Sequence, residues 1–475
     1  MDTVPLHEHG KLGAPGRKLR LWFCLLAACV SSCFLPRSTA CAFDSASDLP
    51  GFPCLSYNSS LPMFELACSF DWSSSHPDCI LLKSNEVFEG HGHEINITGY
   101  NNWEGLFQID IDSATGLENA PVIRNVHIIG GETSGEGGFI VQAEQNHFIV
   151  NSCTTSGEIK GDGGGICGGA CSGDLLITNC SSSGDIQGEH AGGIAGSEVG
   201  RNGNRSTVKI THCHSTGNIA GNQGSGGICG WGAGGDYGSV TIAHSYSTGK
   251  IEGDRSGGIC GRRAGRFHGK VAITCSYSTG DIVGSQSGGI CGQTPALMNR
   301  EVTIERCYSL GEIHGPRSGG IIGAHAAHRK GHVSIINCYS LGDISGSDHA
   351  GGICGSDTGF SNSEDDGGTV ILTNVYASGD VTNDDAGCFI GEIDIAVKEI
   401  NITMSVCNGT TDGMIGEHKG AYASERNSGT LNDIIGTVYC YYDEQEDPKE
   451  CWDDETTWIA VEDDFPNPNP NPPVR

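Results

Sequence analysis

A unit of about 31 residues recurs eight times along this chain, and that recurrence constrains the fold more than any other feature. One unit reads VTIERCYSLGEIHGPRSGGIIG, residues 302–323, and the next reads VSIINCYSLGDISGSDHAGGICG, residues 333–355. The glycine of the S/T/L-G-x-[IV] step marks each copy: Gly157, Gly184, Gly217, Gly249, Gly280, Gly311, Gly342 and Gly379. Successive markers are separated by 27, 33, 32, 31, 31, 31 and 37 residues. With 74 glycines in 475 residues and only 16 prolines, the chain is neither collagen-like nor a Pro-rich linker.

Each unit holds three short β-rich pieces: V-x-I-x-x-C-Y-S, G-[DE]-I-x-G and S-G-G-I-C-G. They are too short and too broken by glycine for helices. Three short strands per period predict one coil of a parallel β-solenoid, all-β, in which stacking closes a core that no coil closes alone. Successive coils would rise by about 4.8 Å, the spacing of paired strands.

The columns read as ladders. Ile159, Ile186, Ile219, Ile251, Ile282, Ile313, Ile344 and Val381 form one aliphatic stack, and Ile166, Ile194, Ile228, Ile259, Ile290, Ile321 and Ile353 another. Both are expected in the core. Tyr246, Tyr277, Tyr308, Tyr339 and Tyr376 form an aromatic column, either a bracing stack or a platform for sugar rings. Glu158, Asp185, Asp281, Glu312, Asp343 and Asp380 form an acidic one, interrupted by Asn218 and Lys250. Like charges at strand spacing repel, so this column is either solvated or shares calcium ions. No other cofactor is expected.

Residues 1–42 read as a secretory signal: Arg17, Lys18 and Arg20, an apolar run Leu21–Leu35, then Ala40-Cys41-Ala42 as a cleavage site. Residues 43–84, with Cys54, Cys68 and Cys79, read as a disulfide-tied N-terminal cap, and the solenoid is expected over 85–391. Residues 392–464 read as a C-terminal cap and 465–475 as a disordered Pro/Asn tail. All but four of the 23 cysteines follow the signal, which fits an oxidising compartment and a secreted or cell-surface protein. Asn58, Asn96, Asn179, Asn204, Asn401 and Asn408 stand in N-x-[ST] sequons and are candidate glycosylation sites. The formal charge of −30 argues against nucleic acid as a partner, because phosphate binding needs clustered cations. No membrane span is expected after signal cleavage, and the sequence does not define an oligomeric state.

The S/T-G-x-I-x-G…GG-[ILV]-x-G pattern resembles the GLUG motif. Its signature stands here as Gly227-Ile228-Cys229-Gly230, Gly258-Ile259-Cys260-Gly261, Gly289-Ile290-Cys291-Gly292 and Gly320-Ile321-Ile322-Gly323. Isoleucine replaces leucine, and the resemblance covers about residues 150–391. It implies a right-handed β-helix of the kind found in adhesin-like secreted and surface proteins, and it brings no catalytic residues.

The residues themselves offer little chemistry. The chain has no G-x-S-x-G elbow, P-loop or H-E-x-x-H helix. Matches to G-x-G-x-x-G at Gly163–Gly168 and Gly230–Gly235 are expected by chance in so glycine-rich a chain. Two cysteine columns stand out: Cys153, Cys180, Cys213, Cys307 and Cys338, and Cys167, Cys229, Cys260, Cys291 and Cys354. They are either buried thiols or inter-coil disulfides. With no C-x-x-C pair, no metal ligands are assigned.

The variable loops after each G-G-I-C-G step stack on one edge, where insertions carry function. In this acidic chain three consecutive loops are basic, holding Arg262, Arg263, Arg266 and His268, then Arg300, then His325, His328, Arg329 and Lys330. Trp231 shares the edge. Arginine pairs with planar carboxylate or sulfate groups and aromatic rings stack on sugars. The expectation is a non-catalytic adhesion or recognition protein that binds an extracellular polysaccharide or surface protein. The alternative is a polysaccharide lyase or epimerase, which would place a carboxylate cluster beside a basic residue on adjacent coils.

Overall fold

The computed structural model describes residues 54–394, with short breaks at 73–78, 112–115, 143–145, 202–205, 299, 362–365, 381 and 384, together with Val397 and six short strands between residues 399 and 468. The signal segment and Asn204 lie outside the described residues.

The chain folds as a parallel β-solenoid. One column of strands runs from Met63–Leu66 through Thr207–Thr211, Ser239–Ala243, Lys270–Thr274 and Glu301–Glu305 to Glu399–Thr403, every neighbour parallel. The V-x-I alternation fixes the register, because a slip of one residue would turn the apolar face to solvent. Accordingly Val240, Val271, Val302, Val333 and Val370 align, as do Ile242, Ile273, Ile304, Ile335 and Leu372, and all are buried.

The strand then bends through a residue in the left-handed region. Asn179, His212, His244, Cys275, Arg306, Asn337 and Asn374 occupy this place with φ between 48° and 55°. Asparagine adopts that conformation at little cost, whereas Cys275 and Arg306 hold it against a penalty of roughly 1–2 kcal/mol. Past the bend, a two-residue Tyr-Ser strand points tyrosine outward and serine inward. Next come the Ile159–Ile344 rungs, bridged coil to coil. Last is the G-G-I-C-G step, with Gly226, Gly257, Gly288 and Gly319 in one parallel column and Cys229, Cys260 and Cys291 in another. The interior is narrow here. A Cβ on Gly258 would stand 2.4 Å from Ser278 Oγ and 2.2 Å from the Gly289 carbonyl, so the second glycine of each pair cannot carry a side chain.

Parallel stacking reaches back to Met63, Phe70 and Ile80, so the first coil uses residues that the sequence reading assigned to the cap. The cysteine-tied part is smaller: Leu55–Asn58 pairs antiparallel with Met63–Leu66, and the Cys54–Cys68 disulfide closes this hairpin. Cys79 and Cys388 are also disulfide-bonded. Stacking also continues past residue 391, through Glu399–Thr403, Ser405–Asn408 and Ile415–His418. Pro466–Pro468, in the segment read as a tail, pairs antiparallel with Trp458–Ala460.

The members of both cysteine columns are free thiols, and all of them are buried. Burial pushes the Cys180 and Cys307 thiols up, and that of Cys354 to about 12, so they serve as small apolar fillers. The acidic column has a local explanation. Asp185 Oδ1 accepts the Asn218 N–H at 2.9 Å, Asp281 Oδ1 that of Glu312 at 3.2 Å, and Asp343 Oδ1 that of Asp380 at 2.9 Å. Asn218 does the same for Lys250 at 3.1 Å. Each side chain thus caps the backbone of the next coil. Among the described residues, no cluster of three His, Cys, Asp or Glu has an arrangement able to hold a metal ion.

The aromatic column is a stack of parallel rings: Tyr246–Tyr277 at 4.9 Å, Tyr277–Tyr308 at 4.7 Å and Tyr308–Tyr339 at 4.8 Å, all within 4° of parallel. His214 extends it at 4.8 Å from Tyr246. Ring faces inside the stack are covered by their neighbours, which leaves edges rather than platforms.

Of the sequon asparagines, Asn179 is exposed at its bend, and Asn58 and Asn96 are partly exposed. Asn401 and Asn408 fall in strands whose side chains at those positions lie outside the description.

Candidate anion-binding edge

The loops after the G-G-I-C-G steps form one edge because each is hydrogen-bonded to the next. Gly232 N–H donates to the Arg262 carbonyl at 2.8 Å, Arg263 to Gln293 at 2.9 Å, Thr294 to Ala324 at 2.9 Å and His325 to Ser356 at 2.9 Å. The loops at 231–238, 262–269, 293–298 and 324–331 are therefore in register. The candidate residues nevertheless divide into groups with different roles.

Arg266 is only 7% exposed. Its guanidinium lies 4.0 Å from the Trp231 ring centroid and 5.2 Å from that of Phe267. It reaches past the intervening coil to pair with Glu198, which also pairs with Arg201. Two glycines make room for that reach: a Cβ on Gly232 would stand 3.3 Å from Arg266 Nε, and one on Gly235 3.1 Å from its Cγ. Trp231 also meets the His190 ring at 5.4 Å. Trp231 and Arg266 thus form a clamp between coils, with Arg266 set over the indole.

His268 stacks on Tyr237 at 4.5 Å and 4°, and Tyr237 is 55% exposed. Arg300 is close enough to feel the Tyr237 phenol, although burial is the larger influence and lowers its pKa. His325 stacks on Phe360 at 4.9 Å and approaches Asp357 at 3.3 Å. His328 packs against both rings. Neither of its ring nitrogens has a partner, and desolvation with the charges of His325, Arg329 and Arg263 lowers its pKa to about 4. Lys330 pairs with Asp366. Arg329 is half-buried behind Phe360, whose carbonyl its backbone N–H reaches at 3.0 Å.

No carboxylate pairs with Arg300 or Arg329 among the described residues, and the same holds for Arg262 and Arg263, which are adjacent in the chain. They join a third cation that sequence reasoning missed, Arg255, in the corner just before the G-G step. Arg255 and Gln293 are linked through the backbone, the Gln293 N–H reaching the Arg255 carbonyl at 3.2 Å, and Arg263 reaches Gln293 in turn. Arg255 Nε and Gln293 Nε2 both donate to Gln286 Oε1, at 3.3 and 3.0 Å, which holds the Arg255 fork. The Nε atoms of Arg262 and Arg263 are buried without acceptors. Desolvation, then Arg263 and Arg255, lower the Arg262 pKa to about 10, and desolvation with Arg255 lowers that of Arg263. The φ of 61° at Arg255 recurs at Gln286, 59°, and Arg317, 60°, and so belongs to the corner of the repeat. The sequence signal for Arg255 was its register with Arg317, a column not weighed because Arg317 looks identical yet pairs with Asp348 at 2.6 Å.

On the N-terminal side the same edge is acidic. Asp162 pairs with His190 at 3.2 Å. Glu136 is exposed as a residue, yet neighbouring coils crowd its carboxyl: desolvation, Glu198 and Asp162 raise its pKa.

Compared with protein-family models, curated proteins and solved structures, the chain finds no match. The likeness to the GLUG motif therefore rests on the quoted residues.

Proposed function

We propose that this chain is a non-catalytic recognition or adhesion protein, secreted or held at a cell surface, that binds anionic glycans on its basic edge. The GLUG-like repeat belongs to the same reading. One observation carries it. In a chain of net charge −30, three arginines gather at Arg255, Arg262 and Arg263 with no carboxylate paired to any of them among the described residues. Unneutralised, half-buried guanidiniums are costly unless an external anion completes them. A surface protein with an acidic loop would satisfy the same chemistry, but a polymer with regular charge fits a ladder of loops better.

Polysaccharide cleavage is a second reading, and Glu136 favours it. A carboxyl with a raised pKa beside Asp162 and Glu198 has the character of a general acid. Binding is preferred because Glu198 is already engaged by Arg201 and Arg266 and Asp162 by His190.

Affinity electrophoresis of the chain without residues 1–42 tests both, through gels holding alginate, pectate or a sulfated glycan, with the polymer sized afterwards. Retardation with intact polymer, lost in Arg262→Ala/Arg263→Ala, supports binding. Shortened polymer, lost in Glu136→Gln, overturns it in favour of cleavage. Free migration in every gel overturns glycan binding altogether.

A further inference from the structure

Resting on that reading, we infer that Arg255, Arg262 and Arg263 form a site for one tetrahedral oxyanion, a sulfate or phosphate ester on the ligand, rather than for a row of carboxylates.

The argument is one of geometry and charge count. A carboxylate is planar, carries one charge and is matched in its plane by a single guanidinium fork. It would leave two of the three cations uncompensated. A sulfate or phosphate ester has three terminal oxygens pointing in different directions and accepts from several donors at once. The three arginines come from one coil and two kinds of position. Arg262 and Arg263 open one edge loop, and Arg255 stands in the corner before the G-G step, joined to Arg263 through the Gln293 backbone. The backbone links through Gln293, and the charge that Arg255 exerts on Arg262 and Arg263, bring these donors together from both sides of the G-G step rather than along one loop.

Two features fix the donors in advance. Gln286 holds Arg255 through its Nε. Gln293, only 4% exposed, is tied to the same Gln286 oxygen and keeps one amide oxygen without a donor. The neighbouring coils show why the site is local. The coil before has Gly224 at the corner, against which the Arg262 side chain packs: a Cβ on Gly224 would stand 2.2 Å from Arg262 Cβ. Two coils on from Arg255, Arg317 is already paired with Asp348. Among the described residues Arg300 and Arg329 also lack a carboxylate, but Arg255, Arg262 and Arg263 are the three that feel one another's charge, so the site matches one ester group, with the rest of the ligand running along the loops.

The test is titration of the chain without residues 1–42 with dextran sulfate, phosphated dextran and polygalacturonate, matched in length and charge density, at one ionic strength. Binding to one of the two ester polymers should be about tenfold tighter than to polygalacturonate, and which of them wins names the ester. Arg255→Ala should weaken binding to every polymer but ester binding about tenfold more than carboxylate binding, which removes the advantage, and Arg255→Lys, which keeps the charge but not the fork, should remove most of it. Circular dichroism checks that both variants fold. Equal affinity for all three polymers, or an ester advantage that survives Arg255→Ala, overturns the oxyanion site and leaves glycan binding standing. Failure to bind any polymer overturns both.

Discussion

The guanidinium of Arg266 lies 4.0 Å from the centre of the Trp231 ring and is ion-paired to Glu198, a residue 68 positions earlier in the chain. One side chain therefore ties three coils together. Removing its counter-charge strands a buried cation, which costs about 3–5 kcal/mol when one partner of such a pair is truncated. Glu198→Ala should destabilise the solenoid by that order in urea denaturation, with a change in Trp231 fluorescence. Arg266→Met, which fills the space without a charge, should cost less.

The serine ladder predicts the opposite sign. Ser247, Ser278 and Ser309 each bury a hydroxyl with no hydrogen-bond partner. Ser278→Ala removes an unsatisfied group and is expected to be neutral or stabilising by about 1 kcal/mol. Gly258→Ala, which drives a methyl into that same hydroxyl and a carbonyl, should prevent folding or lower the thermal midpoint sharply. Midpoints of the two variants measured side by side check the pair.

The tyrosine stack sets an alkaline limit. Desolvation is the main cause that raises the pKa of Tyr277, Tyr308 and Tyr339, with the ring before each adding to it. A folded-state pKa above the unfolded value near 10 gives stability that is complete below pH 10 and lost as pH climbs through the folded values. Thermal midpoints should fall above pH 10, and phenolate absorbance at 295 nm should rise late and together with unfolding. Tyr308→Phe should keep the stack and ease the fall.

His328 sets an acidic limit. Its pKa of about 4 lies below the unfolded value near 6.5, so the stability that it contributes is present above 6.5 and drains away as pH falls toward 4. Denaturation of wild type and His328→Phe at pH 7 and pH 4.5 should converge or cross, the variant losing less on acidification.

The acidic column should tolerate amides. Asp281 Oδ1 accepts the Glu312 N–H, a task that Asn218 performs with an amide two column positions earlier. Asp281→Asn should match wild type in chemical denaturation, while Asp281→Ala should lose about 1 kcal/mol with the hydrogen bond.

What was legible in the sequence was whatever repeats. The Val-x-Ile strands, the isoleucine rungs and the tyrosine column follow from a fixed period, because a parallel solenoid maps equal spacing onto equal place. The less regular ends defeated that logic: Met63, Phe70 and Ile80 join the first coil although their spacing departs from 31. At the edge, the loops Arg262–Lys330 were located correctly as neighbours, but composition says nothing about which charges are satisfied internally. Arg266 and Lys330 are satisfied, by Glu198 and Asp366, partners distant in sequence. Arg255 was overlooked because its corner holds His190, Gly224, Gln286 and Arg317 in other coils, a mixture in which the one other arginine is paired internally, with Asp348. The acidic column was read as solvated or sharing calcium; Asp185, Glu312, Asp343 and Asp380 are exposed, and what the spacing does not reveal is that Asp185, Asp281 and Asp343 also cap amides of the next coil.

Among the described residues, eleven of the twelve cysteines that keep a thiol are buried, spread from the coil of Cys153 to that of Cys354. Alkylating reagents reach such thiols only when the surrounding coil opens. The folded chain thus carries a set of silent reporters distributed along its axis, and the order in which they become labelled would show where the stack first comes apart and in which direction the breach spreads.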